Sequence, residues 1–118
     1  MANYVDGYVI PLKKKDVKAY KKMATLGNKL WTEHGALDYY ECLADDFSKW
    51  GLGFPKMCKI KTGETVVFAF IVYKNKSHRN KVNKAVWKDP RMNMTGQAMP
   101  FDHKRFSMAG FKVLVSNK

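Results

Sequence analysis

Arginine is scarce in this sequence. Three arginines (Arg79, Arg91, Arg105) stand beside nineteen lysines, with ten acidic residues and a net charge of +12. A surplus of that size invites a nucleic-acid reading. Phosphate and base recognition, however, leans on arginine's planar fork, whereas lysine also serves simply to solvate a surface. Residues 13–29 carry seven lysines against Asp16, residues 74–91 carry seven basic residues against Asp89, and residues 30–47 hold five acids and no base. Such blocks favour solvated helix faces, so nucleic acid is not expected as a partner. Cysteine is equally thin, and Cys42 and Cys58, with no leader-like segment ahead of them, read as free thiols. No apolar run approaches the ~20 residues that span a bilayer. A soluble, cytoplasmic protein with no membrane partner is the expectation. Histidines 34, 78 and 103 lack ligand spacing, and neither a C-x-x-C pair nor a glycine-rich phosphate loop nor a G-x-S-x-G elbow occurs. Neither a metal nor a cofactor is expected.

What the chain does have is a strand. Glu64 to Lys74 reads E-T-V-V-F-A-F-I-V-Y-K, nine uncharged residues between two charges and rich in β-branched and aromatic types. Alternation puts Val66, Phe68, Phe70 and Val72 on one side and Val67, Ala69, Ile71 and Tyr73 on the other. Both sides are apolar, so both require a cover.

At 118 residues the chain is one domain. A first strand is predicted over Tyr4 to Ile10, closed by Pro11, which cannot donate to a ladder. A helix follows over 14–34 with an apolar stripe through Val17, Tyr20, Ala24, Gly27 and Trp31, and Gly35 suits its C-terminal turn. Gly27 inside that stripe implies close backbone packing. A second strand spans 36–47, with Leu37, Tyr39 and Leu43 on one face. Residues 48–63 read as a loop pinned by its own aromatics, in which 56–61 is either a short strand or a helical turn. Ser77 caps a second helix that runs to Asp89 before Pro90. Arg91 to His103 is a connection with three methionines, two of them flanking Thr95-Gly96, and Ser107 to Val115 is the last strand.

The order β-α-β-β-α-β implies an α+β, ferredoxin-like fold, a four-stranded antiparallel sheet with both helices on one face. Two helices cover one side only. A sheet with one wet face alternates apolar and polar residues, and these strands do not, so the second face is expected to meet another copy of the chain as a homodimer.

Segments throughout the chain are distinctive in combination: Y-V-D-G-Y-V-I-P at 4–11, A-Y-K-K-M-A at 19–24, E-H-G-A-L at 33–37, the central strand at 64–74, D-P-R-M at 89–92, M-P-F-D at 99–102 and G-F at 110–111. With these the chain resembles the YbaA-like family of uncharacterised bacterial proteins, within the dimeric α+β barrel superfamily. The resemblance implies the fold and a barrel formed by two subunits, and it supplies no catalytic residues. The superfamily includes cofactor-free monooxygenases, isomerases and chlorite-type haem enzymes.

Among residues with chemistry, His34 closes the first helix, where a histidine serves either as a base at a pocket mouth or as a complement to the helix dipole. Asp102 and Arg105, in the loop led by Met99 and Phe101, either face a ligand or pair with each other to fix the loop. Asp6 reads as a buried carboxylate or a dimer-edge contact, with a structural role preferred. The expected site lies between the first helix and the sheet. It has an apolar lining from Met23, Trp31, Tyr39, Met99 and Phe101, and His34, Asp102 and Arg105 supply polarity as candidate catalytic groups. Three functions remain open: a homodimer that binds or transforms a small apolar organic molecule, a non-specific binder of nucleic acid or anionic surfaces through its lysine-rich helices, and a non-catalytic structural or regulatory dimer.

Overall fold

The computed structural model describes residues 3–92 and 99–118. Thr95-Gly96 and the neighbouring Met94 lie outside the described residues. Four strands, β1 (Tyr4–Lys13), β2 (Asp38–Leu43), β3 (Glu64–Tyr73) and β4 (Ser107–Lys112), form one antiparallel sheet in the order β2-β3-β1-β4. Helices α1 (Val17–Glu33) and α3 (Lys76–Lys88) and a single turn, α2 (Phe54–Met57), complete the α+β, ferredoxin-like arrangement.

Local chemistry explains the differences from the sequence reading. β1 runs through Pro11 instead of stopping before it. In a strand a residue's N–H and C=O point the same way, and the Pro11 carbonyl accepts from Asp102 N–H (3.5 Å) on the β4 side. The β1–β4 ladder ends at Val9↔Ser107, so the missing N–H faces no strand. At α3 the cap is Asn75, not Ser77: the Asn75 side chain accepts from His78 N–H at 2.8 Å. α1 ends as the sequence suggests. Gly35 takes a positive φ of 113°, and the N–H groups of Gly35 and Ala36 return to the carbonyls of Thr32 and Trp31.

Strand register fixes the faces. Tyr4, Asp6, Tyr8 and Ile10 of β1 lie opposite Tyr73, Ile71, Ala69 and Val67 of β3, all on the helix side. The core there is in two parts. Tyr4, Leu30, Ile71, Tyr73, Val82 and Val86 pack at one end of the sheet, and Ile10, Leu12, Tyr20, Ala24, Val67 and Ala69 at the other. α3 meets α1 at its last turns, where Trp31 touches Asn83 and Trp87, so the two helices do not seal the space between the two core clusters.

The opposite face is apolar and open. Tyr40, Phe68 and Phe111 are exposed on it, and Tyr40 stacks on Phe70 with centroids 5.0 Å apart. Further large apolar side chains stand out in the segment before α2 and after β4, with Trp50 90% and Leu114 95% exposed. The radius of gyration, 15.1 Å, exceeds the about 13.5 Å of a compact chain this long. No helix among the described residues is long and apolar enough to cross a membrane.

Candidate functional site

Between the two core clusters lies a cavity of about 440 Å³, walled by α1, α3, the sheet and the segment leading into β4. Its size falls within the usual range for small-molecule pockets. Its lining is dominated by aromatic and methionine side chains. Phe101 and Phe106 stack at 5.4 Å, Tyr20 meets Phe101 edge-on at 6.1 Å, and Trp31 meets Trp87 edge-on at 6.1 Å.

One carboxylate interrupts the apolar surface. In β2 the period of two places Glu41 on the helix side with Tyr39, opposite the small Ala69 of β3. Tyr20 of α1 donates to Glu41 Oε1 and Tyr39 donates to Oε2, each at 2.6 Å, which is the short range of charge-assisted bonds. Burial first, and then Glu41 itself, raise the pKa of both phenols well above the usual tyrosine range, so both remain donors. Tyr8, also on the cavity wall, is raised by burial and then by the charges of Asp6 and Glu41. Gly27 permits this clasp. A Cβ there would sit 2.9 Å from the Tyr39 hydroxyl, closer than packed atoms tolerate, which gives the close approach expected of this glycine a definite partner.

Asn83 anchors the α3 wall, its Oδ1 accepting from Trp31 Nε1 at 2.9 Å and from the Tyr73 hydroxyl at 3.2 Å. Beneath it Asp6 is fully buried and paired with Arg79 at 2.9 Å. Burial raises the Asp6 pKa, against the opposing pull of Arg79. Asp6 Oδ2 and Arg79 Nε have no partner among the described residues.

Of the residues singled out from sequence, Trp31, Tyr39, Met99 and Phe101 line this cavity, as does Met23. His34, Asp102 and Arg105 do not. His34 Nε2 lies 2.9 Å from Asp89 Oδ2, and Arg91 holds the same aspartate and Glu33. Asp102 is gripped by Arg105, whose guanidinium also takes both oxygens of Glu64 and the Lys59 carbonyl. Leu37, three residues after His34, donates its N–H to the carbonyl of Val72, opposite Val5 of β1, and Asp102 N–H donates to that of Pro11. Six strand residues, about 20 Å, separate those points. The shared rim expected for His34 and Asp102 therefore does not form, because α1 carries its C-terminus to one end of the sheet while the segment before β4 starts from the other. Glu41 and Tyr20 supply the polarity instead. The sequence signal for Glu41 is its alternation with Tyr39, a residue expected to line the site.

A family model described as "Protein of unknown function (DUF1428)" matches residues 3–103. The chain is 40% identical over 115 residues to the uncharacterized protein YbaA of Escherichia coli (strain K12), covering 95% of this chain and 97% of that one. The same figures hold for the YbaA of Shigella flexneri. Among solved structures it is similar in fold, at 13% identity and a TM-score of 0.61, to a dimeric ferredoxin-like protein from an uncultured marine organism, with 98% and 99% of the two chains covered. The chain thus belongs to the DUF1428 family of proteins of unknown function, which includes bacterial members.

Proposed function

We propose that this protein is a homodimer in which each subunit binds a small, largely apolar organic molecule between its helices and sheet. The observation that carries this reading is the cavity itself, an aromatic and methionine-lined space of about 440 Å³ with, among the described residues, one clasped carboxylate on its wall. A closed, fully packed core would have favoured a purely structural role. Glu41 is also placed to take a proton from a bound molecule, so the reading extends to a transformation in which Glu41, not His34, is the base. The exposed aromatic face of the sheet supports the dimer, as does the description of the structural neighbour as dimeric. Free thiols at Cys42 and Cys58 accord with a cytoplasmic setting. The nucleic-acid reading loses support, since each of the three arginines is engaged by carboxylates of the chain.

Two measurements test the reading. Light scattering at micromolar concentration should give a dimer, and Phe68→Asp a folded monomer; a monomeric parent protein overturns the dimer. The neutral dye N-phenyl-1-naphthylamine should brighten on entering the cavity. Ala69→Phe, which fills the space opposite Glu41, should abolish that signal with the fold retained. A signal that is absent, or unchanged by Ala69→Phe, overturns the cavity.

A further inference from the structure

Resting on that reading, and deepening it, we infer that the ligand is an organic cation: an amine or ammonium group carried on an apolar, aromatic-sized body. The cavity selects by charge in the sense opposite to the rest of the molecule. The chain carries +12 overall, yet among the described residues no lysine or arginine lines this space, and the one acidic side chain that does is Glu41. Residues 93–98, which join the lining residues Met92 and Met99, contain no ionisable side chain either. His103 also lines the space, where its ring packs against Phe101 at 4.9 Å. Lys21 lines a separate groove on the far side of Glu41, between α1 and the edge strand β2. No ion pair among the described residues joins Lys21 to Glu41.

An anionic ligand would therefore meet a carboxylate and no counter-charge. A cation meets one carboxylate and the faces of several aromatic rings, whose negative quadrupoles attract it. Tyr20 and Tyr39 occupy one lone pair on each oxygen of Glu41, and the remaining lone pairs accept the N–H bonds of an ammonium. The two phenol donors compensate the carboxylate only in part, and an opposite charge in the low-dielectric cavity completes the pairing. A hard metal cation is a poor fit, because calcium or magnesium takes six or more oxygen ligands and this wall offers one carboxylate.

Three probes of matched shape separate the possibilities: 4-phenylbutylamine, 4-phenylbutan-1-ol and 4-phenylbutanoate, titrated calorimetrically at pH 7 into the parent protein, Ala69→Phe and Glu41→Gln. The amine should bind at least tenfold more tightly than the alcohol, and the carboxylate not at all. Glu41→Gln should erase the amine's advantage while the alcohol still binds, and Ala69→Phe should remove both. If the alcohol or the carboxylate matches or exceeds the amine in the parent protein, the cation inference fails and the cavity stands. If none of the three binds and the neutral dye is also excluded, both fall. The comparison within the parent protein depends on no variant, so misfolding of Glu41→Gln does not rescue the inference.

Discussion

A methyl group on Gly27 sets helix stability against the clasp on Glu41. Alanine is favoured over glycine in a helix interior by about 1 kcal/mol, but a Cβ at this position lands 2.9 Å from the Tyr39 hydroxyl. Gly27→Ala should hold or raise the melting temperature while weakening probe binding, as Tyr39 swings away from Glu41. Unchanged binding would mean that the clasp has no part in recognition. At the opposite end of the sheet, Arg105 holds the Glu64 carboxyl down to about 2, chiefly through its hydrogen bonds, with the Lys61 N–H assisting. A depressed folded pKa stabilises above the unfolded value, near 4.5, and that stability drains as pH falls towards 2. Asp102, lowered by the same arginine, adds to the loss, while buried Asp6, raised, works against it. Urea midpoints at pH 7 and pH 3 should therefore show a smaller acid loss in Glu64→Gln than in the parent. An equal loss would assign the acid sensitivity elsewhere. Arg105→Ala should cost about 2–3 kcal/mol at neutral pH, as charged hydrogen bonds of this kind do.

The elements show why some of this was legible in the sequence and some was not. Both faces of β3 are legible, because alternation along a strand this apolar has one phase, and its pairing with β1 keeps the same two faces. The end of β4 is not. Alternation continues through Val113 and Val115, but a strand needs a partner, and Val113 makes its last bond to Asn3, beyond the end of β1. The start of α3 turns on a choice between Asn75 and Ser77, both good caps, and only the extended backbone of Asn75 settles it. Asn75→Ala should destabilise the protein by about 1 kcal/mol and Ser77→Ala by little; chemical denaturation distinguishes them, and the reverse order would contradict the cap. Glu41 was hidden for a different reason. A charge on a strand ordinarily marks the wet face, and the phenol that reverses this for Glu41 comes from Tyr20, twenty-one positions earlier on another element. His34 misled in the same way, since its partner Asp89 lies fifty-five positions on.

At the scale of the molecule, a sheet layer and a helix layer give a body 40 × 39 × 20 Å. Its basic residues divide by type: the arginines tie carboxylates within the chain, and the lysines are left to the surface. The outside is therefore positive while the cavity wall carries a negative group. Binding speed and binding strength should then respond to salt differently. A cation approaching a body of charge +12 is repelled over the Debye length, about 30 Å at 0.01 M salt and about 8 Å at 0.15 M. Added salt shortens that reach, while contact with Glu41 inside the cavity is screened far less. In stopped-flow traces of tryptophan fluorescence, 4-phenylbutylamine should associate faster as salt rises through this range, the reverse of the usual electrostatic steering of a ligand to its site. A rate that falls with salt would show that a local acidic path, not the net charge, governs approach. On this account the lysine coat is a kinetic barrier around the site, and it slows entry most in dilute buffer.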